Sequence, residues 1–101
     1  MIIVNTTFYV SPTEEAEFMQ WVKTDYIPAS ACAGLSDPMV NIILAEVGEG
    51  VTGYAVQLTA STLDVAEGWT GCAGAESMSR LMKGRDGKIL FFTTYMENVP
   101  L

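Results

Sequence analysis

With 101 residues, half of them apolar and 17% charged, the chain is one domain, not a disordered segment, and long enough to bury roughly two-thirds of its unfolded surface. Twelve acidic residues against five basic ones give a net charge of −7, which disfavours nucleic acid and anionic membrane as partners, since both need clustered lysine and arginine. Histidine is absent, which removes the usual general base, the commonest metal ligand and any histidine-held haem.

The opening "MIIVNTTFYV" alternates. Ile2, Val4, Phe8 and Val10 fall on one face of a strand, and Ile3, Asn5, Thr7 and Tyr9 on the other. It has no basic start and no small-residue cleavage site, so it does not read as an export signal. Asn5-Thr6-Thr7 matches the glycosylation acceptor pattern only formally. Cys32 and Cys72 are too few for a disulfide framework, and a cytoplasmic protein is expected.

Ser11-Pro12-Thr13-Glu14 supplies an N-cap, a first-turn proline and a capping-box glutamate. The helix that follows carries Phe18, Met19, Val22 and Tyr26 on one stripe, and is expected to end at Pro28. A second strand is expected over residues 39–47 and a third over residues 52–59, joined through the turn "GEG" at 48–50.

Ser61-Thr62-Leu63-Asp64 opens a second helix. Val65, Ala66, Trp69, Cys72 and Ala73 form its apolar stripe, but Ala75, Met78 and Met82 point elsewhere. One straight helix cannot bury both sets, so "GWTGCAGAES" is read as a helix bent or broken between residues 71 and 74. A phosphate loop would need these glycines between a strand and a helix start. Cys72 lies on the stripe and is expected to be an inert core thiol. "GRDG" at 84–87 stops the helix, and "KILFFTTYM" is the last strand.

The order β-α-β-β-α-β is the ferredoxin-like arrangement, an α+β fold with a four-stranded antiparallel sheet and its helices on one face. In the last strand Ile89, Phe91 and Tyr95 alternate with Leu90, Phe92 and Met96, so both faces are apolar. Helices can cover only one, and a second copy of the chain is the expected cover for the other. Which of Phe91 and Phe92 faces inward is left open.

Among candidate sites, Glu46 and Glu49 flank a hairpin tip, where solvation is a simpler reading than metal. Arg80, Lys83, Arg85 and Lys88 gather near the end of the second helix, where cations suit its dipole. Asn5, Thr7 and Gln57 sit in apolar surroundings, where unpaired polar groups are costly. They either bond one another or water at a dimer interface, or join Trp21, Tyr26 and Trp69 as the polar and aromatic walls of a small-molecule pocket. An enclosed space of at least ~300 Å3 lined by Asn5, Trp21 or Trp69 would support the ligand-binding and enzyme readings, whereas side chains filling the space would leave a structural or protein-partner role. No catalytic residue, metal or cofactor is expected.

Several segments together resemble a known family. "MIIVNTTFYV", a helix carrying Trp21 and ending in "YIP", then "GYAVQLTA" and "FFTTYMENV" resemble the domain of unknown function 4286 family, uncharacterised bacterial proteins. The matching positions are Asn5, Thr7, Trp21, Ile27, Pro28, Gln57, Thr94 and Glu97. The resemblance implies the dimeric α/β-barrel superfamily, in which two ferredoxin-like subunits pack sheet to sheet. Relatives with this pattern tend to carry histidine at the position of Tyr26, histidine in the second helix, and arginine at the position of Thr93. Any chemistry those groups perform in relatives is in doubt for this chain. The superfamily includes cofactor-independent monooxygenases, haem-degrading enzymes, lactone isomerases and ligand-sensing domains, and fold alone does not choose among them. The functional expectation is a non-enzymatic homodimeric module that either binds a small apolar or aromatic molecule between sheet and helices or serves only as a structural partner. The alternative is a cofactor-independent monooxygenase or isomerase, with Asn5, Gln57 and Tyr26 holding a substrate that supplies its own reactivity.

Overall fold

A computed structural model describes every residue except Val47 and Asp86. The chain runs β1 (Ile2–Val10), α1 (Glu15–Trp21), α2 (Ile27–Cys32), β2 (Ser36–Ile43), β3 (Thr52–Ala60), α3 (Leu63–Gly71), α4 (Ala73–Met82) and β4 (Ile89–Glu97). The four strands form one antiparallel sheet in the order β2-β3-β1-β4. This is the expected ferredoxin-like α+β arrangement.

Strand parity builds the core. Val4, Phe8 and Val10 from β1 meet Val56, Leu58 and Ala60 from β3 and Ile89 from β4, all buried under the helices. Phe18, Trp21, Val22 and Tyr26 close over them from one side, and Ala66, Trp69 and Leu81 from the other. Phe8 is the centre of the aromatic packing, with ring centroids 4.9 Å from Phe18, 5.8 Å from Trp21 and 6.3 Å from Tyr26. Offset and edge-on pairs of this kind add to the area they bury.

The first helix does not end at Pro28. After α1 the chain widens into a π turn over Val22–Tyr26, closed by the Ile27 N–H on the Val22 carbonyl, and continues as α2. The wider turn restarts the helix, so Pro28 falls in a first turn, where its missing N–H costs little. β2 also starts and ends earlier than residues 39–47, and its pairing is irregular between Ser36 and Met39. There Asp37 has φ of 51°, a left-handed conformation before Pro38. Val47, the expected end of that strand, and Asp86, in the "GRDG" stop, lie outside the described residues.

The second helix breaks where its apolar stripe changes phase. α3, capped by the Thr62 hydroxyl on the Val65 N–H, ends at Gly71. Cys72 has φ −122° and ψ −96°, and α4 starts at Ala73. The break turns the Cys72 side chain to solvent, so its thiol is exposed. The expected core thiol is thereby corrected: helical spacing placed it inward only for an unbroken helix. Met78 and Met82 pack partly buried against the core. Gly74 makes the corner possible. A Cβ there would stand 2.6 Å from the Trp69 carbonyl oxygen and 3.0 Å from its indole.

Candidate functional site

The corner between α3 and α4 leaves space over the β1–β4 half of the sheet. A cavity of about 230 Å3, open on one side, lies there. The sheet contributes Thr6, Phe91 and Thr93, and the π turn contributes Tyr26. Trp69 and Thr70 come from α3, and Gly74, Ala75 and Met78 from α4. The lining is apolar and aromatic apart from hydroxyls, and among the described residues no charged side chain borders it.

The hydroxyls are ordered. Tyr26 and Thr6 share a hydrogen bond of 3.3 Å, and Thr6 and Thr93 one of 3.0 Å. Thr70 donates to the Ala66 carbonyl within its own helix. Tyr26 is almost wholly buried, and that burial pushes its phenol above the ordinary tyrosine range, with polar contacts to Thr6 and Trp69 pulling weakly the other way. Tyr26 is therefore a neutral hydroxyl at physiological pH, fit to donate or accept a hydrogen bond but not to act as a base.

The end of α1 and the π turn are fastened to α4 beside this cavity. Trp21 Nε1 donates to the Ser77 carbonyl at 3.0 Å, and the Ser77 hydroxyl donates to Asp25 Oδ1 at 2.9 Å. Arg80 grips both Asp25 oxygens at 2.7 Å. The Arg80 hydrogen bonds, helped by Ser77 and opposed by desolvation, hold the Asp25 carboxyl below its ordinary value. A second, shallower depression of about 330 Å3 borders Trp21, Glu17, Asp25, Arg80 and Arg85 on the outer surface. Its cations already face carboxylates: Arg80 pairs with Asp25, and Arg85 with Glu14 and Glu17. Lys88 also lies 3.8 Å from Glu14.

The six residues read from the sequence as one pocket are divided by the sheet. Tyr26 and Trp69 line the cavity. Trp21 stacks on Tyr26 with centroids 4.9 Å apart and borders the outer depression. Asn5, Thr7 and Gln57 point to the opposite, helix-free face, where Gln57, Asn5 and Thr94 stand side by side across β3, β1 and β4. The odd positions of β1 face away from the even ones that contact the helices, so these groups cannot share one space. Asn5 donates from Nδ2 to the Thr7 hydroxyl at 3.2 Å, while its Oδ1 is buried without a partner. The sequence reading did not assign Thr6, Thr70, Gly74, Ala75, Met78, Phe91 or Thr93 to the pocket, although it marked Gly74 within the helix break and Thr93 as a position where relatives carry arginine. Thr6 also carried a signal, as a polar residue at a core-facing position between Val4 and Phe8.

The chain belongs to the family described as "Domain of unknown function (DUF4286)", whose model matches residues 1–99. No curated protein matches it. Among solved structures it is similar to a proposed antibiotic biosynthesis monooxygenase from Deinococcus radiodurans, at 15% identity over 100% of this chain and 95% of that one, with a TM-score of 0.70. A dimeric ferredoxin-like protein from an uncultured marine organism is 12% identical over 99% and 96%, with a TM-score of 0.65. The hydroxynitrile lyase of Passiflora edulis is 15% identical over 99% and 97%, with a TM-score of 0.60. Such distant likenesses carry the fold, and their different printed activities carry no single function.

Proposed function

We propose that the protein is a homodimeric, non-enzymatic binding module whose cavity between sheet and helices takes a small apolar or aromatic molecule. The cavity of about 230 Å3 with its Tyr26–Thr6–Thr93 hydroxyl string carries this reading. It is open on one side and falls short of the enclosed ~300 Å3 expected of a ligand pocket, yet exceeds the ~150 Å3 that admits benzene in an engineered protein interior. A compound of one or two rings fits that interval, and a long lipid does not. The rival, a cofactor-independent monooxygenase or isomerase, draws support from the neighbouring monooxygenase fold. It needs a base, and among the described lining residues the titratable group is a tyrosine shifted away from that role.

The homodimer rests on the helix-free face. Leu90 (59% exposed), Phe92 (49%) and Met39 (54%) lie bare there around the polar row, and the Asn5 carbonyl oxygen is sealed without a partner. A second copy laid on this face would cover these apolar side chains. A cytoplasmic setting suits the two free, exposed cysteines. Among the described residues no helix is long and apolar enough to cross a membrane.

A thermal-shift screen against one- and two-ring metabolites tests the ligand. At a hundredfold excess over its dissociation constant, a true ligand adds about 2.7 kcal/mol, a rise of roughly ten degrees for a domain of this size. Ala75→Phe, which fills the cavity mouth, should abolish the rise, and a screen without hits defeats the reading. Light scattering at micromolar concentration tests the dimer, and a single-chain species alone would overturn it.

A further inference from the structure

The cavity holds an uneven count of hydroxyl protons. Thr70 spends its proton on the Ala66 carbonyl. Tyr26, Thr6 and Thr93 carry three protons between them, and the two links that join them use two. One proton is left at an end of the string. Among the described residues no other side-chain acceptor bonds these groups, and a hydroxyl facing an apolar space without an acceptor is costly.

The two ends are not equivalent. Tyr26 is sealed beneath Trp69, with ring centroids 5.3 Å apart, and the indole N–H is a donor with nothing to accept. Thr93 is only half-buried, on the edge strand beside Phe91. The favoured polarity therefore runs from Tyr26 to Thr6 to Thr93, which leaves the free proton on Thr93, facing the cavity.

We propose that the cavity selects a neutral ring compound bearing a carbonyl or ether oxygen, which accepts a hydrogen bond from the Thr93 hydroxyl while the ring lies between Trp69, Met78 and Phe91. This rests on the binding-module reading and adds the ligand's chemistry to it. Among the described residues no charged side chain lines the cavity, which disfavours carboxylates and amines, whose desolvation those residues do not offset.

Three probes of similar size separate the possibilities: acetophenone, its hydrocarbon isostere α-methylstyrene, and benzoate. Binding is read from the tryptophan indole N–H signals by NMR titration. Thr93→Val, which keeps shape and strand propensity, should weaken acetophenone about three- to tenfold, the worth of one hydrogen bond, and leave α-methylstyrene unchanged. Thr93→Ser, which retains the hydroxyl, should keep acetophenone near its wild-type affinity. Equal effects of Thr93→Val on ketone and hydrocarbon would overturn the hydrogen-bond assignment while sparing the cavity. Tighter binding of benzoate than acetophenone at this cavity would overturn the preference for neutral ligands. If neither uncharged probe binds the wild-type protein, the cavity reading itself falls, and this inference with it.

Discussion

The two faces of the sheet are built from nearly the same kinds of residue and meet different fates. On the helix side Val4, Phe8, Val10, Val56 and Leu58 are at most 1% exposed. On the other side Leu90, Phe92 and Met96, equally apolar, stand between 39% and 59% exposed. β4 shows the contrast within one strand, because the helices reach only its first inward residue: Ile89 is buried, while Phe91 and Tyr95 remain partly bare. Apolar character therefore reports a surface that needs covering. It does not report which neighbour covers it.

The sharpest way to break this comparison is to truncate an aromatic ring on each face. Phe8→Ala should cost about 3–5 kcal/mol, since the site is closed by four rings and cannot collapse. Phe92→Ala should change the intrinsic stability of one chain by no more than about 0.5 kcal/mol, its larger effect being to weaken the concentration dependence of Tm that a dimer confers. Urea unfolding over a range of protein concentrations measures both, and equal losses at the two positions would erase the distinction between the faces.

Gly74→Ala should cost about 1–3 kcal/mol, the usual toll of overpacking. Its φ is not positive, so backbone strain is not the reason. The added methyl would meet the Trp69 carbonyl, a backbone atom that cannot swing aside. Thermal unfolding of this variant, with tryptophan emission as a second readout, checks it, and a stabilised variant would show that the α3–α4 corner relaxes freely.

The smallest effect belongs to the clasp at the cavity's flank. Asp25→Asn should cost at most about 1 kcal/mol at pH 7, because its Arg80 partner is largely exposed. The sign with pH is set by the lowered carboxyl of Asp25. A depressed native value gives stability that is full above the unfolded value of 3.8 and is lost as pH falls through the native one. The gap between wild type and Asp25→Asn should thus close below about pH 3.8. Denaturant titrations at pH 7 and pH 3 measure it, and a gap that widens in acid would contradict the assignment.

The helix break was legible because it is a local contradiction: two apolar stripes out of phase, with glycines where the phase changes. Pro28 misled because its local meaning, a helix stop, was overruled by a five-residue π turn that moved it into a first turn. Cys72 misled for a related reason. The bend was foreseen, but its pivot is the one place where helical spacing no longer says which way a side chain points.

By itself the sequence determined the element order, the ferredoxin-like class and which residues share a face in β1 and in β4, because period-2 and period-3.6 patterns are local consequences of backbone geometry. Only tertiary structure decided that Thr6 and Thr93, 87 residues apart along the chain, join hydroxyls under Tyr26, and that Asn5 and Gln57 stand on the far side of the sheet from them. Both outcomes depend on strand order and on which face the helices choose. Those are long-range pairings, set by the packing of the whole chain, that no short window of residues can encode.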